Sequence, residues 1–279
     1  MMEAETALTE GISVCAKHRL LDLVYCMQFL LMKVLFQRNP KAALKSIDTH
    51  IANCTTFKHA HWVYAFRFLK ASFYLQSGVA NDHHALENLR KIASIAEERG
   101  DLAIYVMSHL LEGLAHLTTM KDDAVSRIHT CLAAAGKLQL QQSTQLPQIE
   151  LMRTFLDFAC SMHKKSYSVS LKKLSVLQEM MAKMDSSHWG SNDELLLPVK
   201  KQANASHTIS DDTRDIIRQG QADDVLVIPV LRRQEYRAIV TTFISIVQLS
   251  TQRDAKTKSL IDHGANTIIS LQDATSSWP

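Results

Sequence analysis

Apolar positions recur along this chain at helical spacing, in blocks separated by very short polar breaks. Leu20 to Gln37 is apolar nearly all round, which suits a helix sandwiched between neighbours rather than one lying on a surface. The block stops at Asn39-Pro40, where Asn39 can cap the next helix and Pro40 suits its first position, whose N–H lacks a helical partner anyway. A second helix is predicted to about Cys54. A third runs from Trp62 to Gln76 and ends at Gly78, where a left-handed residue is wanted, and a fourth runs from Asp82, a candidate cap, to Arg99. Gly100 closes it and Asp101 can cap the next. Leu102–Leu117, Asp123–Leu138, Pro147–His163 and Ser168–Met184 complete eight helices in four pairs.

The pairs resemble one another. The second helix of each carries a small residue, an aliphatic one beside it and another one turn on: Ala43-Leu44 with Ile47, Ala85-Leu86 with Leu89, Ala124-Val125 with Ile128, Ser170-Leu171 with Leu174. A small side chain lets the two helices of a hairpin approach closely, and the residue one turn on fills the seam against the next hairpin. The spacings of 42, 39 and 46 residues exceed the tetratricopeptide period of about 34. The expected fold is therefore all-α, a tetratricopeptide-like superhelix of helical hairpins with degenerate, lengthened repeats; a closed helical bundle is the alternative. The pattern fails between Asp185 and Leu231, a polar stretch with one apolar knot at Leu195–Val199, and Asp223–Leu231 reads as a short edge strand or extended segment because it contains Pro229. Helical periodicity returns over Gln234–Leu249 and Ala255–Leu271. These features divide the chain into a helical-repeat superhelix over 1–184, a polar insert over 185–231, a further hairpin of the same superhelix over 232–272 and a tail over 273–279.

Composition agrees. Eight Gly and five Pro in 279 residues are about 5%, where an average chain carries about 12%, and this shortage of turn residues argues against an all-β fold. With 46% hydrophobic and 21% charged residues the chain is globular, and a net charge of +3 gives no footprint for nucleic acid. The five cysteines are odd in number, widely spaced and set among apolar neighbours, so reduced, buried thiols are expected. No signal peptide or membrane span is read, which places the protein inside the cell.

Candidate chemistry is sparse. Asp211, Asp212 and Asp215 spell DDxxD, a magnesium–diphosphate motif where it lies on a helix facing an aromatic cavity; in a polar insert, with Ser210 as a cap, it reads as a charged loop. The pairs His59/His61, His83/His84 and His50/Cys54 each lack a second pair at zinc spacing, so neither metal nor cofactor is expected. Basic pairs at Lys164-Lys165, Lys172-Lys173, Lys200-Lys201 and Arg232-Arg233 read as solubilising charge, without the interleaved aromatics that single strands stack on. The first helices of the hairpins offer more. Arg67, Lys70 and Tyr74 share one stripe, His109, Glu112 and His116 another, and Arg153 with Asp157 a third. On the inner face of a superhelix such stripes can grip an extended peptide, and they form the candidate partner-binding groove.

Several long segments, in order, carry a resemblance: LDLVYCMQFLLMKVLF, PKAALKSID, HWVYAFRFLKASFYLQSG, ALENLRKIASIAEERGD, MSHLLEGLAHL, MKDD, ELLLPVKKQ and DDTRDIIR. From about Ala16 to Leu249 the chain resembles the fungal form of the cohesin-loading factor family, the tetratricopeptide-type smaller subunit of the cohesin loader. The resemblance implies a nuclear, non-enzymatic scaffold whose superhelix wraps the extended N-terminal segment of the large loader subunit. Cohesin and chromatin are then indirect partners, with no membrane and no small-molecule substrate. Family members are longer, which implies repeats beyond this chain. The other readings are a helical-repeat scaffold of another assembly, a magnesium enzyme built on the DDxxD acids, and a direct nucleic-acid binder.

Overall fold

Asn39 caps its helix as the sequence requires: in the computed structural model its Oδ1 accepts from the Ala42 N–H at 3.1 Å, with Pro40 at the first helical position. The structure describes residues 2–78, 82–119, 121–136, 146–186, 194–201, 209–229 and 233–251. Among these are ten α-helices: α1 (Met2–Lys17), α2 (Leu21–Arg38), α3 (Pro40–Thr56), α4 (Ala60–Gln76), α5 (Asp82–Arg99), α6 (Leu102–Thr119), α7 (Ala124–Ala135), α8 (Pro147–His163), α9 (Tyr167–Ser186) and α10 (Arg233–Thr251). The fold is all-α and built of helical repeats, as expected. The periodicity does not announce α1. The helix expected over 255–271 and the tail over 273–279 lie outside the described residues. No helix among the described residues is long and apolar enough to cross a membrane.

The chain forms two compact units. In the first, residues 1–142 with 196–228, the helices α1 to α7 pack successively, each against its neighbour in sequence within the unit. This is the nearest-neighbour packing of a repeat array. The small residue that opens each seam is shut away from water here, Ala43 and Ala85 at 0% exposure and Ala124 at 1%, with Ile47, Leu89 and Ile128 fully buried one turn on. Aromatic rings fill the space between α2 and α4. Tyr25 meets Trp62 at 5.7 Å and Phe66 at 6.5 Å between centroids, and Phe36 stacks flat on Phe73 at 4.0 Å. Trp62 donates its indole N–H to the buried Asp22 carboxylate at 2.8 Å, so the first turns of α2 and α4 lie side by side.

One turn is used repeatedly. After α1, α3 and α5 a single residue adopts a left-handed conformation: Arg19 (φ 58°), Lys58 (φ 60°) and Gly100 (φ 74°). The next residue then donates its N–H back across the helix end, Leu20 to the Cys15 carbonyl, His59 to Cys54 and Asp101 to Ala96, at 2.8–2.9 Å. These are Schellman caps, which satisfy carbonyls that the helix leaves open.

The second unit, residues 143–195 with 229–279, packs α8 on α9 and α9 on α10. Its core gathers Leu151, Phe158, Leu174, Leu177, Val240 and Val247. Phe243 of α10 stands edge-on to Phe155 and Phe158, 5.5 Å from each. The same cap recurs between α8 and α9, with Lys165 at φ 55° and the Ser166 N–H donating to the Ser161 carbonyl at 3.1 Å. Ser170 at the small-residue position is fully buried.

The polar insert contains three strands, β1 (Glu194–Lys200), β2 (Ile217–Arg218) and β3 (Asp223–Pro229), in the order β1-β3-β2. Beta3 is thus the central strand and not an edge. Pro229 is tolerated because it is the last residue of the strand, where a missing N–H costs the ladder least. Ile217 pairs with Leu226 and Arg218 with Val225 in antiparallel register. The turn between β2 and β3 needs Gly220, since a Cβ there would lie 1.9 Å from the Asp223 carbonyl oxygen. The apolar knot is β1, whose Leu195, Leu197 and Val199 alternate inward.

Candidate functional site

The stripes lie at equivalent places in successive hairpins. Arg67, Lys70 and Tyr74 on α4 each precede His109, Glu112 and His116 on α6 by one repeat, the same interval that separates Ala43 from Ala85. Their partners repeat as well. Lys70 Nζ meets Asp48 of α3 at 2.5 Å and Glu112 accepts from Arg90 Nε of α5 at 2.6 Å; Asp48 and Arg90 are again one such repeat apart. The two seams, α3–α4 and α5–α6, hold one ion pair in opposite polarity. In each, the first-helix member is covered and the second-helix member faces water, Asp48 at 59% and Arg90 at 51% side-chain exposure.

Other stripe residues are also engaged. Arg67 donates to Asn88 Oδ1 at 3.2 Å while Asn88 Nδ2 donates to the Arg67 carbonyl, joining α4 to α5. Burial works to lower the Arg67 guanidinium below its ordinary value. Tyr74 stacks on His84 at 5.3 Å and receives Lys70 Nζ over its ring at 5.7 Å. In the second unit Arg153 forks onto Glu150 one turn back, and Asp157 takes Lys173 of α9 at 2.8 Å. The structure therefore gathers Arg67, Lys70 and Tyr74 around α3–α5, and His109, Glu112 and His116 around α5–α7. Arg153 and Asp157 belong to the second unit and make their contacts there. Asp48, Asn88 and Arg90 complete the stripes but lie 21 or 22 residues from their partners, beyond any spacing rule within one helix.

Glu112 gathers Arg90, His109 and His116 around one carboxylate. Burial works to raise its carboxyl, and the contacts from His109 and Arg90 outweigh it, holding Glu112 below the ordinary carboxylate value. His109 Nδ1 stands 3.5 Å from Glu112 Oε2, and His116 Nε2 3.8 Å from Oε1. Neither buried ring nitrogen has a hydrogen-bond partner among the described residues. Cys131 of α7 joins the group: a His109 ring nitrogen, a Glu112 oxygen and the Cys131 sulfur all lie within 4.8 Å of one another. Burial, reinforced by the Glu112 charge, pushes the Cys131 thiol up to about 12. His83, His84 and Glu87 form a second such cluster, exposed at the start of α5.

The insert occupies the other end of these helices. Asp101, in the turn before α6, accepts from Tyr64 Oη at 2.8 Å, Arg99 Nε at 2.9 Å and the Lys200 N–H at 2.8 Å, and Arg99 Nη2 reaches the Lys200 carbonyl at 3.0 Å. This fastens the end of β1 to the start of α6. The 3-10 turn Asp211–Thr213 packs on α2. Burial pushes the Cys26 thiol there up to about 11, with Asp215 and Asp212 adding to the rise. Ser210 caps the turn by accepting from the Asp212 N–H, and Asp211, Asp212 and Asp215 are exposed. The basic pairs serve local contacts: Lys173 holds Asp157, and Lys201 donates to the Gly220 carbonyl at 2.6 Å.

Helical hairpins that follow one another in sequence, with one polar pair recurring at the α3–α4 and α5–α6 seams, define a helical-repeat protein. The family model described as cohesin loading factor matches residues 1–278, and the chain belongs to that family. Membership gives it a role in cohesin loading, among the loading machinery that works on chromatin. No curated protein and no solved structure matches the chain.

Proposed function

We propose that the chain is the non-catalytic scaffold subunit of a nuclear cohesin loader and holds the extended N-terminal segment of the large loader subunit along its hairpins. The observation that carries this reading is membership of the cohesin loading factor family over nearly the whole chain. The repeated stripes support it. An extended peptide presents polar backbone groups at regular intervals, and a helical-repeat surface that offers Lys70 with Asp48 at one seam between hairpins and Glu112 with Arg90 at the next supplies polar groups at matching intervals. Arg67, Tyr74, His109 and His116 flank these pairs, and Arg153 with Asp157 provides a further polar position on α8.

Calorimetry of this chain against the N-terminal segment of the large loader subunit tests the proposal. Binding that weakens at least tenfold in the Arg67→Glu, Tyr74→Ala double variant, with unchanged helical content, supports both scaffold and groove. Binding unaffected by the double variant moves the groove elsewhere. A folded wild-type chain that does not bind removes the scaffold reading.

A further inference from the structure

We propose that His109, Glu112 and Cys131 form a binding site for a divalent cation of the zinc class, tying α6 to α7. Three donor types that zinc favours, imidazole, carboxylate and thiolate, converge from two helices of one hairpin within 4.8 Å. A tetrahedral ion with bonds of about 2.0–2.3 Å spaces its donors roughly 3.4–3.8 Å apart. The His109 Nδ1 to Glu112 Oε2 distance of 3.5 Å already meets that spacing, and Cys131 needs to close by no more than about 1 Å. The donors are sheltered, with Cys131 and Glu112 buried and His109 less than a fifth exposed.

Two further features point to a ligand. His109 Nδ1 and His116 Nε2 are buried polar atoms that face the Glu112 carboxylate only at 3.5 and 3.8 Å, longer than a good hydrogen bond, an arrangement that costs stability unless something closer occupies them. Arg90 takes Glu112 Oε1 at 2.6 Å and leaves Oε2 turned to His109. Holding one carboxylate oxygen in this way is how an outer residue orients a ligating carboxylate. His116, one turn on along α6 and 3.8 Å from Glu112 Oε1, is the candidate for the fourth position. On binding, the Cys131 S–H bond breaks, a sulfur–metal bond forms and one proton leaves to solvent, with no change of oxidation state. The site stands independently of the partner groove, although it uses three of the same residues, so its failure would leave the scaffold reading untouched.

Cobalt(II) titration of the full chain under reducing conditions provides the test, because a thiolate ligand gives a sulfur-to-cobalt charge-transfer band that carboxylates and imidazoles cannot. The expected result is one equivalent of Co²⁺ with that band, one proton released per ion, displacement by Zn²⁺ and a Tm that rises with Zn²⁺. The band disappears in Cys131→Ser and in His109→Ala, each checked for helical content, and persists in Cys26→Ser and in His83→Ala with His84→Ala. A wild-type chain without the band, a band that survives Cys131→Ser, or one lost with the exposed His83 and His84 overturns the site. Should Cys131→Ser fail to fold, His109→Ala and the wild-type spectrum decide.

Discussion

Replacing Asp101 by Ala tests how the sheet is fastened to the helices. The Asp101 side chain is fully buried and accepts three hydrogen bonds, from Tyr64, Arg99 and the backbone of Lys200. A hydrogen bond to a charged group contributes about 1.5–3 kcal/mol, and removing one partner of a buried ion pair costs about 3–5 kcal/mol because the other is left uncompensated. The bonds share one carboxylate and do not add, and the desolvation cost of Asp101 itself is recovered. We therefore expect Asp101→Ala to lower the stability of the first unit by about 3–5 kcal/mol, a large part of the roughly 5–15 kcal/mol that holds a domain together. Urea unfolding followed by circular dichroism measures the loss, and hydrogen exchange at the Lys200 amide reads release of β1. Tyr64→Phe removes a single donor and should cost about 1.5–3 kcal/mol alone but almost nothing in the Asp101→Ala background. A loss below about 1 kcal/mol with the Lys200 amide still protected would refute the argument, as would additive effects of the two substitutions.

Other outcomes follow from the turns, the histidines and the seams. Lys58 carries a side chain at φ 60°, which costs about 1–2 kcal/mol against about 0.4–1 kcal/mol of added unfolded-chain entropy for glycine, so Lys58→Gly should raise the urea midpoint; a lowered midpoint would count against the cap. His50 stacks on Phe66 at 5.5 Å, and burial holds its imidazole below 6.5. Because the unfolded state binds the proton more readily, the stability His50 contributes is complete above pH 6.5 and declines as pH falls; His50→Leu should flatten that part of the pH–stability profile, and an unchanged slope would remove His50 as its cause. Lys70→Glu sets two carboxylates together and should destabilise by about 1 kcal/mol, the scale of half-exposed pairs. Adding Asp48→Arg copies the polarity of the next seam and should recover the loss, whereas a double variant no better than the single would show that the two seams are not equivalent.

The fold was legible wherever the information lay within one helix. Apolar spacing located α2 to α10, and Asn39, Pro40, Gly78 and Gly100 marked boundaries because only certain residues suit those backbone positions. Alpha1 escaped notice for the complementary reason. Its segment offers few large apolar residues, and its left-handed closing residue is Arg19, which carries no sequence signal; Lys58 and Lys165 conceal the same cap elsewhere. The sheet was hidden differently. Beta1 is held at Asp101, 99 residues earlier in the chain, and a polar loop with alternating residues reveals neither its strand order nor its anchor.

The candidate site divides along the same line. The three-and-four spacing that placed Arg67 with Lys70 and Tyr74, and His109 with Glu112 and His116, is set by helix geometry and could be read directly. Asp48, Asn88, Arg90 and Cys131 could not be read, because each reaches its partner across a seam between helices. The repeat supplies what local spacing lacks. Once Ala43 and Ala85 fix the repeat interval, Lys70 maps onto Glu112 and Asp48 onto Arg90, and the inversion of charge in both members at once makes sense only if each pair is in contact. A seam conserves the attraction and leaves the polarity free. The opposite polarity of the two seams then gives their exposed second-helix members opposite signs, Asp48 negative and Arg90 positive, an order of charges that a peptide laid along both hairpins, as proposed above, would meet in turn.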